Sequence, residues 1–185
     1  MKNKALMQWL RLIETTQHHD HRGSFAETYN FQRLKSIGIN DRFVQDNQSS
    51  SKQMFTLRGL HFQSPPHAQA KLVRCLSGSI YDVAVDIRVG SPFFGAWVGV
   101  ELNSHEGRQM YIPHGFAHGF VTLEPDTIVM YKCSEYYAPE AECVIRWDDP
   151  LIGVNWALDG EPILNDRDAN APFLKDMVSP FKFGD

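Results

Sequence analysis

A chain of 185 residues with 43% hydrophobic and 22% charged content has the length and balance for one sizeable core. Its formal net charge of −4 supplies no basic field for nucleic acid or anionic lipid, so any phosphate must be held by a few local Arg and Lys side chains. No run approaches the ~18–20 apolar residues that span a bilayer, and residues 1–11 lack a signal-peptide core.

In chain order, Leu6, Trp9, Leu10, Leu12 and Ile13 come first. They predict an N-terminal strand that needs a partner surface. Asn30 as N-cap and Gly38 as stop predict a short helix over 31–37. Predicted strands follow at 55–62, 71–76, 81–88, 97–102, 109–112, 119–123 and 128–134. In the third of these, Tyr81, Val83, Val85 and Ile87 alternate with Asp82, Ala84, Asp86 and Arg88, which is the period of a strand. Ser77-Gly78, Gly90-Ser91-Pro92, Pro113-His114-Gly115 and Glu124-Pro125-Asp126 mark the turns between them. Asn165 is placed to cap one last helical turn over 166–168. Neither a repeat nor a Gly/Ser/Pro linker divides the chain, so 1–185 reads as one domain. Many short strands at this spacing predict an antiparallel sandwich or barrel. No Gly-rich loop joins a strand to a helix, which argues against a dinucleotide-binding α/β domain.

The cysteines, Cys75, Cys133 and Cys143, are odd in number and fit neither a zinc site nor a disulfide framework. They read as reduced thiols of a cytoplasmic protein.

Three segments hold polar residues where a plain β-core would not place them. The first is Arg58-Gly59-Leu60-His61-Phe62-Gln63, followed by Lys71. Arg58 and His61 have opposite strand parity, so they share a face only if the strand is irregular, and Gly59 is the candidate bulge. The second runs from Tyr131 to Tyr137 and holds three tyrosines, each offering a stacking surface and an O–H donor. The third is Asn165-Asp166-Arg167-Asp168, with carboxylates that can orient a histidine. Each also has a bland reading as core, interface or solvated cap. A metal is the competing chemistry, on His18-His19-Asp20-His21 or on His114 and His118. Strand ligands sharing a face need even spacing, however, and His61 has no such neighbour.

Taken in order, the stretches RGSFAE, FVQDNQS, LRGLHFQ, QAKLVRCLSGSIYDVAVDIRVGSP, FGAWVGVEL, IPHGFAHGF, YKCSEYYAPEAE and LNDRD resemble the dTDP-4-dehydrorhamnose 3,5-epimerase family. The resemblance covers the chain from about Asp20 to Leu174. It implies an all-β, cupin-like antiparallel barrel or jelly roll with a few short helices. It also implies a homodimer with exchanged N-terminal strands, and no metal or cofactor. The implied substrate is a dTDP-linked 4-keto-6-deoxy sugar.

By the same resemblance His61 is the general base, Asp168 its orienting carboxylate, Tyr131 the acid on the opposite sugar face and Lys71 the cation beside the ketone. Nucleotide and diphosphate contacts fall on Gln45, Asp46, Asn47, Arg58, His118, Glu142 and Arg167. Phe25 and Tyr137 match aromatics near the nucleobase. Arg22 and Glu27, with Phe25, reach in from the partner subunit. A histidine base suits this chemistry, with a reference pKa of ~6.5. The sequence departs from the family's common pattern at Ser24 and Phe55, where Phe and Gly are usual, and at Asn165 and Arg167, where Ser and Lys are usual. Two alternatives stand beside this expectation: an epimerase that inverts one centre of a related nucleotide sugar, and a non-catalytic cupin-like binding module.

Overall fold

The computed structural model describes residues 5–184; residues 1–4, the start of the stretch read above for a signal peptide, and residue 185 lie outside it. The strands are β1 (Arg11–Glu14), β2 (His18–Asp20), β3 (Gly23–Phe25), β4 (Gln45–Ser51), β5 (Leu57–Gln63), β6 (Lys71–Ser77), β7 (Ser79–Asp86), β8 (Trp97–Asn103), β9 (Arg108–Ile112), β10 (Phe116–Thr122), β11 (Thr127–Cys133) and β12 (Glu142–Val144). Two short helices, α1 (Phe31–Ser36) and α2 (Asp166–Ala169), accompany them. One sheet runs β1-β9-β6-β11-β4, the other β12-β5-β10-β7-β8, and β2 with β3 forms a separate ribbon. Every strand ladder is antiparallel. The fold is the cupin-like jelly roll that the resemblance implies.

Apolar periodicity explains most of the strands, and the packing explains why both faces of some are buried. Val73, Met110 and Val129 of the first sheet meet Ile80, Val98 and Phe120 of the second. The opposite face of the second sheet, with Leu60, Val83 and Val85, is covered by Ile145, Ile152, Trp156 and Phe181 of the C-terminal segment. Strand β7 is therefore buried on both sides. Its Tyr81, Val83 and Val85 face the C-terminal segment, while Asp82 and Asp86, both fully buried, turn with Ile80 and Ala84 to the inside of the sandwich. The N-terminal expectation needs correction. Leu6 and Leu10 are fully buried in the chain's own core, and β1 pairs with β9 of the same chain. Each such burial is worth about 1.5–3 kcal/mol, so Leu6 and Leu10 anchor the stretch to the core of its own chain, while Trp9 stays 39% exposed.

Local capping agrees with the sequence. The Asn30 side chain accepts from the N–H groups of Gln32 and Arg33, which opens α1. The Asn165 side chain accepts from the Asp168 N–H at 2.7 Å, which opens α2. Strand β4, with the sequence QDNQSSS, has no apolar residue to announce it. Its ladder to β11 and its half-buried Gln45, Asn47 and Ser49 hold it in place.

Strand β5 changes parity midway. His118 of β10 lies opposite His61, and Phe120 lies opposite Arg58, so three steps along β5 match two along β10. This irregularity lies where Gly59 is expected to bulge. Gly59 has φ +131, and a Cβ there would lie 2.5 Å from the Cα of Gly119 and 2.9 Å from the His118 carbonyl oxygen. Both obstacles are backbone, so neither can swing aside. Gly59→Ala is therefore expected to destabilise the protein by at least ~2 kcal/mol, from φ strain plus overpacking. Chemical denaturation checks this, and a parent-like midpoint would show that the crossing opens freely.

Candidate active site

A cavity of about 440 Å³ opens between the two sheets. The first sheet contributes Gln45 and Asn47 from β4, Lys71 from β6 and Tyr131 from β11; the second contributes His61, Phe62 and Gln63 from β5 and Glu142 from β12. Gln69, Tyr137 and Arg167 complete the wall. Lys71 pairs with Cys133 across the ladder, and Tyr131 is two residues from Cys133, so Lys71 and Tyr131 share a face. His61 comes from the opposite wall. A second groove of about 260 Å³ lies on the outer face of the first sheet, and it has no histidine, lysine or cysteine on its wall.

The His61 Nε2 lies 2.7 Å from Asp168 Oδ1. Asp168 is 1% exposed, and its second oxygen accepts the Gly59 N–H at 3.1 Å. Burial pushes the Asp168 carboxyl up, but the His61 hydrogen bond and charge, the Gly59 N–H and Arg167 together hold it below the usual carboxylate range. With Asp168 ionised, the shared proton belongs on Nε2, which leaves Nδ1 with the free lone pair. Lys71 is buried, and its Nζ donates to the His61 carbonyl oxygen at 3.4 Å. Burial pulls its pKa below the ordinary lysine value, partly offset by Cys133, Asp82 and Glu142. Burial raises the Tyr131 hydroxyl, which keeps it a proton donor at neutral pH.

At the mouth, Glu142 Oε2 accepts from the Tyr137 hydroxyl at 2.6 Å and from Arg167 Nη1 at 2.7 Å. Burial raises the Glu142 carboxyl, but those two donors bring it below its ordinary value. Arg167 and Asp168 are consecutive on α2, so one short helix reaches both the mouth and the histidine.

Other expected residues lie elsewhere. Asp46 has the wrong strand parity: it faces outward, in an ion pair of 2.8 Å with Lys132. His118 is 5% exposed and bonded to Asp82 at 2.7 Å, behind the cavity wall; burial lowers its pKa. Arg58 lies off the cavity wall near Ser50 and Ser51, at 3.5 Å from each, and its buried Nε has no partner among the described residues. Arg22 is bound to Asp20 at 2.6 Å, Phe25 is 71% exposed, and Glu27 sits beside α1; none lines the cavity of its own chain. The sequence reading did not single out Phe62, Gln63 and Gln69, which do line it. Even spacing from His61 was the available signal for Gln63. Among the described residues no three His, Cys, Asp or Glu side chains gather to hold a metal ion. No described helix is long and apolar enough to cross a membrane.

Residues 5–176 match the family described as dTDP-4-dehydrorhamnose 3,5-epimerase. The dTDP-4-dehydrorhamnose 3,5-epimerase of Salmonella typhimurium is 50% identical over 164 residues, covering 88% of this chain and 89% of that one. A dTDP-6-deoxy-D-glucose-3,5-epimerase of Legionella pneumophila, solved with dTDP-4-keto-L-rhamnose, superposes with a TM-score of 0.86 at 48% identity, over 90% of this chain and 88% of that one. A 3′-monoepimerase of Streptomyces bikiniensis, solved with dTDP-quinovose, superposes with a TM-score of 0.84 at 36% identity, over 90% and 84%. With the match spanning nearly the whole chain, this protein belongs to the dTDP-4-dehydrorhamnose 3,5-epimerase family.

Proposed function

We propose that the cavity converts dTDP-4-dehydro-6-deoxy-D-glucose to dTDP-4-dehydro-L-rhamnose by inverting carbons 3 and 5, a step in making dTDP-rhamnose. One observation carries the residue roles: a carboxylate-held histidine and a protonated tyrosine reach one cavity from opposite sheets, with a buried lysine bonded to the backbone carbonyl of that histidine. The carbon-4 ketone acidifies the protons on carbons 3 and 5. His61 takes one through Nδ1, and the electron pair moves onto the ketone oxygen as an enolate. Lys71 stabilises that oxygen. Tyr131 then delivers a proton to the other face, the enolate collapses to the ketone, and the centre is inverted. Asp168 holds the ring and stabilises the imidazolium, as Asp does in hydrolase triads. Arg167, at the mouth, supplies local positive charge for the diphosphate. The second reading, inversion at one centre, is supported by the superposed 3′-monoepimerase, though at lower identity than the 3,5-epimerases.

A homodimer with shared sites completes the reading. Every residue of β2 and β3 is exposed, and Phe25 and Arg22 lie at its surface. This ribbon, rather than β1, is what a partner would cover, bringing Arg22, Phe25 and Glu27 to the neighbouring cavity. Three free thiols suit the cytoplasm, where we place the protein.

Three experiments test this. In deuterated water with dTDP-4-dehydro-6-deoxy-D-glucose, the parent protein should take up deuterium and invert at both carbons, as NMR reads directly. Uptake at one carbon alone selects the single-centre reading. Tyr131→Phe should keep exchange better than inversion, because His61 can return the proton that it took; losses by one common factor would remove Tyr131 as the acid. Second, an inactive Arg22 variant mixed with an inactive His61 variant should regain activity through hybrid sites, and no gain after demonstrated subunit exchange counts against sharing. Third, Lys71 must be a cation to stabilise the enolate, and its pKa is depressed. Activity should therefore fall as pH rises through a value below ~10.4. Lys71→Arg, which stays charged, should move that limb of the pH profile upward; an unmoved limb would assign it to another group.

A further inference from the structure

Residues 134–138 leave β11 and lead to the turn at Pro139–Ala141, carrying Tyr136 and Tyr137 with them. The Ser134 N–H donates to the Ala70 carbonyl and the Ala138 carbonyl accepts from the Ala141 N–H. Between them, three glutamine side chains take the Glu135 and Tyr136 carbonyls and the Tyr137 and Ala138 N–H groups. Gln69 Nε2 donates to the Glu135 carbonyl at 2.7 Å. Gln63 Nε2 donates to the Tyr136 carbonyl at 3.1 Å and to the His67 carbonyl at 2.7 Å, while its Oε1 accepts the Ala138 N–H at 2.9 Å. Gln45 Oε1 accepts the Tyr137 N–H at 2.9 Å, and its Nε2 donates to Asn47 Oδ1 at 3.0 Å. Gln63 is 3% exposed, and its donors meet carbonyls while its acceptor meets an N–H, so only one orientation of the amide fits.

These contacts bracket Tyr137. Gln45 holds its N–H, Gln63 holds the next residue, and Glu142 holds the tip of the ring. Glu142 in turn is the ladder partner of Gln63 across β12 and β5. Tyr137 is nevertheless 53% exposed, so its aromatic face is held at the mouth of the cavity with no aromatic ring of the described chain stacked on it. A fixed aromatic face loses little conformational freedom when a flat ring stacks on it.

We infer that Gln45, Gln63 and Gln69 are positioning residues for the nucleotide half of the substrate, fixing Tyr137 as a ready stacking face for its base. This rests on the reading of the cavity as a nucleotide-sugar site. The chemistry lies on His61, Lys71 and Tyr131, to whose side chains none of the three amides is hydrogen-bonded. Loosening the mouth should therefore weaken binding more than it slows the reaction.

The test measures dTDP binding by calorimetry, and KM and kcat with the dTDP-linked 4-keto sugar. Gln63→Met should raise the dTDP Kd and the KM about tenfold, with kcat reduced by less than about threefold, the signature of lost uniform binding. Gln69→Met removes one hydrogen bond from the same segment. It should show the same split at smaller size, and it carries the test if Gln63→Met does not fold. In the Gln63→Met/Tyr137→Ala double variant, binding should be little weaker than in Tyr137→Ala alone, because no ring remains to position. Parent-like binding in both glutamine variants overturns the inference, as does a fall in kcat at unchanged KM or a fully additive loss in the double variant. If Tyr137→Ala itself binds dTDP undiminished, the nucleotide reading of this wall fails and the inference falls with it. If Tyr137→Ala weakens binding and the glutamine variants do not, the inference fails alone.

Discussion

The site depends on one buried carboxylate. Asp168 is 1% exposed, and an ionised carboxylate in that setting is tolerated only when its oxygens are satisfied. One oxygen takes the ring of His61 and the other takes the N–H of Gly59. Gly59 lies at the irregular step of β5, where the ladder to β10 slips by one residue. The slip that turns Arg58 and His61 toward one side thus leaves a backbone donor for the carboxylate to use. Removing the glycine, the slip or the carboxylate would leave a buried polar group unmet. The glycine at the slip and the carboxylate therefore form one unit although 109 residues separate them in the chain.

The second constraint is a polar interior between sheets that are apolar elsewhere. The C-terminal segment covers the outer face of the second sheet, where Tyr81, Val83 and Val85 of β7 find their core. The inner face of β7 and β10 carries Asp82 and His118, bonded to each other, beside the apolar Ile80, Ala84, Phe116 and Phe120. Burial lowers the pKa of Lys71, and Cys133, Asp82 and Glu142 oppose it, in the direction needed to keep the lysine a cation. The polar stretch of β4 makes sense in the same terms, because its inward residues face this interior.

This explains what could be read from the sequence and what could not. Strands with an apolar period and helices with an Asn cap were legible, as was the irregularity at Gly59, because each follows from local chemistry. Strand β4 was not, since QDNQSSS offers no apolar signal and its place is fixed by its neighbour β11. Asp46 was misplaced because a motif carries no parity; one residue either way turns a side chain to the opposite face. His118 looks like a ligand contact in sequence but is held behind the wall by Asp82, a pairing across β7 and β10 that no local pattern announces. Leu6 and Leu10 seemed to need a partner because their core lies in strands more than sixty residues away.

The departure at Phe55 shows how the unit around Asp168 is protected from change. Phe55 has φ +61, a left-handed conformation that suits the glycine common at this place in the family and costs a bulky side chain of order 1 kcal/mol. Its backbone is nonetheless tied on both sides: its N–H donates to the Thr122 carbonyl at 2.7 Å, and its carbonyl accepts from the Ile163 N–H at 2.8 Å. A Cβ on Gly160 would lie 3.5 Å from the Phe55 ring, so the ring rests close over that glycine. The Ile163 bond also fastens the segment leading to Asn165 and α2 against the start of β5. The strain is met by contacts at the entrance of the strand, before the step at Gly59. What Phe55 adds is side-chain contact on the approach to α2, and the geometry of His61 and Asp168 is set farther along by bonds that it does not touch.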